Sequence, residues 1–129
     1  MQVQLVSPEQ VLYEGDADMV VARTLAGGEI AFLKDHAPFL GALAAAPVRV
    51  ILAGGQQEKF AVHGGFVEVS DNHVIILSDV AELQQEVDVN RAAAAKARAE
   101  EVLRQEPDDY DAQQALQRAD TRLEVAERG

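Results

Sequence analysis

Four arginines in the last third of the chain differ from the rest in what surrounds them. A helical arginine ordinarily pairs with an acid three or four positions away. Arg104 has Glu100 and Glu101 there, Arg128 has Glu124, and Lys96 has Glu100. Arg118 and Arg122 have no acid at those offsets and have each other instead. Two like charges at that spacing repel by roughly 0.3 kcal/mol. Arg91 and Arg98 share a helical face two turns apart, each with one acidic neighbour, Asp88 and Glu101. Guanidinium forks match phosphate oxygens bidentately, so four of them gathered at one place would suit a polyanion. They could equally pair with acids elsewhere in the fold, or point into water.

The remaining chemistry-bearing residues point nowhere so definite. His36, His63 and His73 have no helical metal-ligand spacing, and His63 and His73 read as surface histidines at strand ends. There is no cysteine, which excludes disulfides and thiolate sites. No Gly-rich phosphate loop followed by Lys-Ser/Thr occurs, and Ser7, Ser70 and Ser78 have no evident base. No catalytic residue and no metal site are expected. A small sandwich enzyme would need His and acidic residues clustered on inward strand positions, and the pattern offers none.

The 129 residues fit one domain with an appendage. Asp and Glu number 22 against 11 Lys and Arg, a formal net charge of −11. That balance argues against nucleic-acid binding, because phosphates would be repelled at long range. Most of the positive charge lies beyond Asp88. The opening MQVQLVSPEQ has no basic start and no apolar core of a leader, and no window approaches a membrane span.

The elements that must position the arginines fall into two groups. Val3–Val6, Asp18–Arg23, Val48–Leu52, Lys59–Val62, Phe66–Val69 and His73–Leu77 are short runs rich in β-branched residues. Turn chemistry at Ser7-Pro8, Gly27-Gly28, Gly54-Gly55, Gly64-Gly65 and Asp71-Asn72 separates them. This predicts an antiparallel sandwich or barrel, with Pro38 and Pro47 at strand starts or edges. Near Glu82 the pattern changes and alanine dominates. Asp88 predicts the N-cap of a helix to about Gln105, with Val89, Ala92, Lys96, Ala99 and Leu103 as one stripe. Pro107 ends it, and Asp108 or Asp109 caps a second helix with Ala112, Leu116, Ala119, Leu123 and Ala126 as the facing stripe. An antiparallel hairpin follows, bringing Arg91 and Arg98 toward Arg118 and Arg122. Its alanine seam buries about one methyl per position, on the order of 0.8 kcal/mol each, so the pair must dock on something else to persist.

Several stretches resemble the epsilon subunit of bacterial-type rotary ATP synthases. SPEQVLYEGDADMVV (Ser7–Val21) looks like that family's opening strands. GGEIAFLKDHAPFLGAL (Gly27–Leu43) looks like its Gly-Glu and His-Ala-Pro loop, with AFLK where the family shows Gly-Ile-Leu-Pro. FAVHGGFVEVSDNHVIILSDVAE (Phe60–Glu82) is similar to its Gly-Gly-Phe segment, and VDVNRA (Val87–Ala92) to its nucleotide-associated motif.

The resemblance implies a ten-stranded antiparallel β-sandwich over residues 1–85, binding the gamma subunit and the c-subunit ring, and a regulatory helical hairpin over 86–129. It implies a non-catalytic central-stalk subunit that couples proton flow to ATP synthesis. Its hairpin would inhibit hydrolysis when extended toward the alpha and beta subunits. No cofactor is required, and ATP is a regulatory ligand. The chain would sit peripherally at the cytoplasmic face of the bacterial cell membrane, held there through the complex. By position, Glu82, Val87, Asp88 and Ala92 would surround the base and ribose, and Arg91, Arg98, Arg118 and Arg122 the phosphates. Glu29 and His36 would meet the c ring from one loop, though His36 could equally be a turn residue packed beside Pro38. A free-standing nucleotide-sensing module is the alternative that keeps the same arginines without the rotary partners.

Overall fold

The computed structural model describes residues 1–127. Its first part is a single hydrogen-bonded sheet. The strands are β1 (Gln2–Val6), β2 (Val11–Asp16), β3 (Met19–Thr24), β4 (Gly28–Leu33), β5 (Phe39–Ile51), β6 (Gln57–Ser70), β7 (His73–Leu77) and β8 (Ala81–Leu83). The order across the sheet is β2-β1-β7-β6-β5-β3-β4, with β8 added to β6. Strands from both ends of that order feed one core: Val3 and Leu5 of β1 meet Val20 of β3, Phe32 of β4 and Phe60 of β6. The sheet therefore folds over on itself, which makes it a sandwich. Alternate residues point inward along β7, where Val74 and Ile76 are buried and His73 and Leu77 are not.

Local reading of glycine, proline and alanine accounts for the differences from expectation. Eight strands are present among the described residues, where ten were expected. β5 and β6 run unbroken for 13 and 14 residues. Gly64-Gly65 is no turn: both glycines lie inside β6, at φ 89° and 123°. A Cβ on Gly65 would fall 2.0 Å from the carbonyl oxygen of Leu77, so the close approach of backbones demands glycine there. Pro47 also lies within a strand, in β5. The β3 to β5 ladder shifts register between Val21/Arg49 and Thr24/Leu43, and Pro47 falls in that gap, where no N–H is needed. One pair is not antiparallel: β1 runs parallel to β7.

After β8, a 3-10 turn (Gln84–Glu86) leads into α1 (Val89–Gln105) and α2 (Tyr110–Ala126). Asp88 caps α1 by accepting from the backbone N–H of Arg91 at 3.1 Å. Asp109, not Asp108, caps α2, accepting from Ala112 at 2.9 Å. The helices pack along Ala92, Ala99, Ala112 and Ala119, all buried. Val89, expected in that seam, is 49% exposed. Lys96 crosses the hairpin to Asp120 at 2.9 Å instead of pairing with Glu100. Arg104 does pair within its helix, with Glu101 at 2.7 Å. The expected Arg128 to Glu124 pair lies outside the described residues.

α2 has a second buried face that the alanine stripe does not include. Gln117, Thr121 and Val125 recur every four residues, on one side of the helix. Thr121 and Val125 are buried, and the Gln117 amide donates to Ala45 O of β5 at 3.1 Å. Gln84 donates to Val125 O at 2.8 Å and ties the helix end to the 3-10 turn. The hairpin is thus docked on the sandwich through α2, with α1 riding on α2.

Replacing Gly65 by Ala is expected to destabilise the fold by about 3 kcal/mol or more, since backbone must move. Gly54→Ala, with open space around its φ of 93°, is expected to cost roughly 1 to 2 kcal/mol. Urea unfolding midpoints of the two variants check the difference.

Candidate functional site

Between the two helices and β8 lies an open cleft of about 700 Å³, lined by Arg91, Arg98, Arg118 and Arg122 together. Helix periodicity puts them there. Arg91 and Arg98 are two turns apart on α1, roughly 10 Å along its axis. Arg118 and Arg122 are one turn apart on α2, which runs back beside α1. Ala92, Ala95 and Ala99 form the floor on one side, and Ala112 and Ala115 on the other. Small side chains let the cleft remain hollow where leucines would fill it.

Charge is unevenly satisfied in this cleft. Arg122 donates from Nε to Glu82 Oε1 at 2.6 Å, with both side chains about a quarter exposed. Among the described residues, Arg91, Arg98 and Arg118 have no ion pair. Burial alone would raise the Glu82 carboxyl, but hydrogen bonds from Arg122 and His63 outweigh it and hold the pKa below the usual range. Glu82 is therefore an anion whose charge is spent on one arginine, and three cations remain open toward the cleft.

Seven of the eight residues expected around a nucleotide line this one cleft: Glu82, Asp88, Arg91, Ala92, Arg98, Arg118 and Arg122. Val87 does not. It lines a separate hollow with Gln57, Lys59, Gln84 and Val89. The backbone at Val87 is extended, at φ −71° and ψ 124°, so its neighbours Glu86 and Asp88 face the cleft while it faces away. Sequence spacing missed Glu86, at the β8 end of the cleft, and Asp109 and Asp111 at the far end. The i, i+3, i+4 run of small residues beside the arginines was the available signal for the floor.

His63 was also misplaced. It lies inside β6, not at a strand end, and its side chain is 4% exposed. Its Nε2 stands 3.1 Å from Glu82 Oε1, the same oxygen that Arg122 uses. His73 is at the start of β7, exposed, with Nδ1 2.9 Å from Asp71 O.

Glu29 and His36 do not share a loop. Glu29 is on β4, exposed and 4.0 Å from both Arg23 and Arg49. His36 lies beyond the other end of β4, stacked edge-on to Phe32 at 5.0 Å, and its ring Nδ1 is 2.7 Å from Ala37 O. Glu29 to Leu33 is four residues of strand, about 13 Å. The segment is a strand because Ile30 and Phe32 alternate into the core. Among the described residues no cluster of His, Asp or Glu could hold a metal ion. No described helix is long and apolar enough to cross a membrane.

Comparison with known proteins gives two family matches. Residues 1–84 match the ATP synthase, Delta/Epsilon chain, beta-sandwich domain. Residues 85–127 match the ATP synthase, Delta/Epsilon chain, long alpha-helix domain. The chain is 44% identical over 127 residues to the ATP synthase epsilon chain of Shouchella clausii, covering 98% of this chain and 94% of that one. It is 48% identical over 103 residues to that of Brevibacillus brevis, covering 80% and 77%. Among solved structures, a chain of the Euglena gracilis mitochondrial ATP synthase superposes with a TM-score of 0.82 at 26% identity, covering 96% of this chain and 79% of that one. One from the central stalk and c-ring of the Tetrahymena thermophila mitochondrial ATP synthase shares the fold at 0.55 and 20% identity, over 67% and 68%. With both halves matched in order and relatives aligned nearly end to end, the chain belongs to the family of ATP synthase epsilon chains.

Proposed function

We propose that the chain is a central-stalk subunit whose helical hairpin is a nucleotide-sensitive regulator of ATP hydrolysis. The family makes it a subunit and not a catalyst in its own right. The observation that carries the regulatory part is the convergence of four arginines in one cleft, three without an ion pair among the described residues. A triphosphate supplies the missing negative charge in the form that guanidinium forks match. Asp88 and Glu82, at the β8 end, are placed to accept from the hydroxyls or amino group of a nucleoside.

The coupling follows from how the hairpin is held. The alanine seam contributes about 0.8 kcal/mol per buried methyl, and α1 packs chiefly on α2, which packs on the sandwich. The arginines come from both helices, so an anion bound among them bridges the pair and stabilises the closed, docked form by mass action. Without it, repulsion among the cations favours separation. An extended hairpin would present the same cations to acidic surfaces of the alpha and beta subunits and block hydrolysis.

The sandwich supports a subunit of an assembly over a free-standing nucleotide sensor. Val11, Val6, Leu77, Phe66 and Ala42 are successive cross-strand partners and so form one row across five strands. Val11, Leu77 and Phe66 are 52%, 48% and 56% exposed. A contiguous apolar row of this kind is a surface for another protein chain, and the gamma subunit is the partner we assign to it. Contact with the c-subunit ring through Glu29 and His36 requires two separate contacts, one at each end of β4. Proton translocation and residence at the cytoplasmic face of the bacterial membrane belong to the assembly and reach this chain through its partners.

Titration of the isolated chain with ATP by calorimetry is expected to show one site, and absence of heat at millimolar ATP would sink the nucleotide reading. Arg91→Ala, Arg98→Ala or Arg118→Ala is expected to weaken binding at least roughly tenfold, the loss of a charge-assisted contact. Affinity is also expected to fall as salt rises. Removing residues 88–129 is expected to leave assembly with gamma intact while raising the hydrolysis rate of the complex. Loss of assembly in that truncation would contradict the division of roles.

A further inference from the structure

His63 joins the two halves of the molecule at the cleft. It sits in β6 opposite Ala45, and its backbone N–H donates to Val80 O at 3.0 Å, beside β8. Its ring Nε2 meets Glu82 Oε1 at 3.1 Å. Glu82 is held ionised and can only accept, so the imidazole proton must be on Nε2. Nδ1 is then a bare acceptor, buried, with no hydrogen-bond partner among the described residues. A second proton would place an N–H where nothing accepts it. It would also put a cation beside Arg118 and Arg122 of α2.

Those groups, with Glu82 of β8, are the charges that face the ring from the elements packed against it. Asp79 lies farther round, on the hollow that His63 also lines with Gly64 and Phe66. Burial first, and the two arginines after it, push the His63 pKa below 6.5, against the opposing pull of Glu82.

We propose that His63 is a positioning residue for the arginine cleft: by donating to Glu82 it fixes the carboxylate oxygen that holds Arg122, and so ties α2 to the sandwich. Arg122 reaches that oxygen from the mobile element and His63 from the fixed one. When the hairpin leaves, Glu82 and His63 stay behind and the ring loses its cationic neighbours. The inference rests on the ATP reading only for its ligand consequence.

The pH dependence has a definite sign. With its pKa lower in the docked state, His63 takes up a proton more readily once α2 departs. Docking is therefore complete above about pH 6.5, the ordinary imidazole value, and weakens as pH falls toward the lowered one. Glu82, also lowered, acts in the same direction at more acid pH.

Ring-nitrogen NMR of the full chain tests this first. The wild type is expected to show the Nε2–H tautomer and a His63 titration below the ordinary imidazole range. Arg122→Ala is expected to raise the His63 pKa and Glu82→Gln to lower it. A His63 titration that Arg122→Ala leaves unmoved overturns the proposal, whether or not ATP binds. In the second arm, His63→Ala is expected to weaken ATP binding roughly tenfold, the loss of a hydrogen bond to a charged group. His63→Gln, which keeps an N–H donor, is expected to recover most of that affinity while losing the pH dependence between 5 and 7. His63→Ala binding ATP as tightly as wild type overturns the proposal. Failure of the wild type to bind ATP overturns the nucleotide reading and leaves the titration arm to decide this one.

Discussion

A single carboxylate oxygen, Glu82 Oε1, is shared by an arginine of α2 and a histidine of the sandwich. Every cation in the cleft is balanced, or left unbalanced, relative to that one group. With Glu82 engaged by Arg122, the cleft has a fixed wall on its β8 side; its lining carries five carboxylates to four guanidiniums, and Arg91, Arg98 and Arg118 have no ion pair among the described residues. The remaining acids of the lining, Glu86, Asp88, Asp109 and Asp111, sit toward its two ends and form no ion pair with the arginines. The same guanidiniums would be silent if they were scattered, because water and salt screen separated surface charges within about 8 Å.

The alanine seam is the second constraint. Alanine gives the best intrinsic helix propensity while burying little area. α1 and α2 can thus each be well-formed helices without being strongly attached to one another. α2 carries the attachment to the sandwich through Gln117, Thr121 and Val125, and α1 contributes Arg91 and Arg98 from the outside. The element that supplies half of the cationic wall is therefore the least anchored one. Rigid helices on a weak seam suit the proposed movement of the hairpin, since helices that melted on leaving would pay a large conformational cost.

The helical half was legible because its signals are local. Asp88, Pro107 and Asp109 mark the ends, and the periodicity of alanine between them fixes the faces. From those faces the meeting of Arg91, Arg98, Arg118 and Arg122 followed by geometry alone. The strands were less legible for an equally physical reason. GALAAAP within β5 has no β-branched residue, so its strand character comes from neighbours on both sides. β2 and β4 are missing from the expected strands because Gly and charged residues interrupt them. Gly64-Gly65 carries a strong local turn signal, yet the reason for Gly65 is the backbone of Leu77, twelve residues away. Misreading that pair as a turn also placed His63 at a strand end and concealed its contact with Glu82. Val87 was lost to a simpler effect, the alternation of faces along an extended segment.

The acidity of the whole chain and the clustering of arginines in one cleft are compatible, and together they would restrict the anion proposed above. A net charge of −11 repels a long polyanion, most of which must lie along the acidic exterior. A short one that fits wholly between α1 and α2 feels chiefly the guanidiniums, because the distant carboxylates are screened. Length thus becomes the selective property. Arg91 and Arg98, roughly 10 Å apart along α1, mark the reach over which negative charge is useful. A compact triphosphate places all of its charge inside that reach, whereas nucleic acid would carry most of its own outside it. Non-specific attraction to phosphate, the usual consequence of clustered arginines, is thereby suppressed by the rest of the surface.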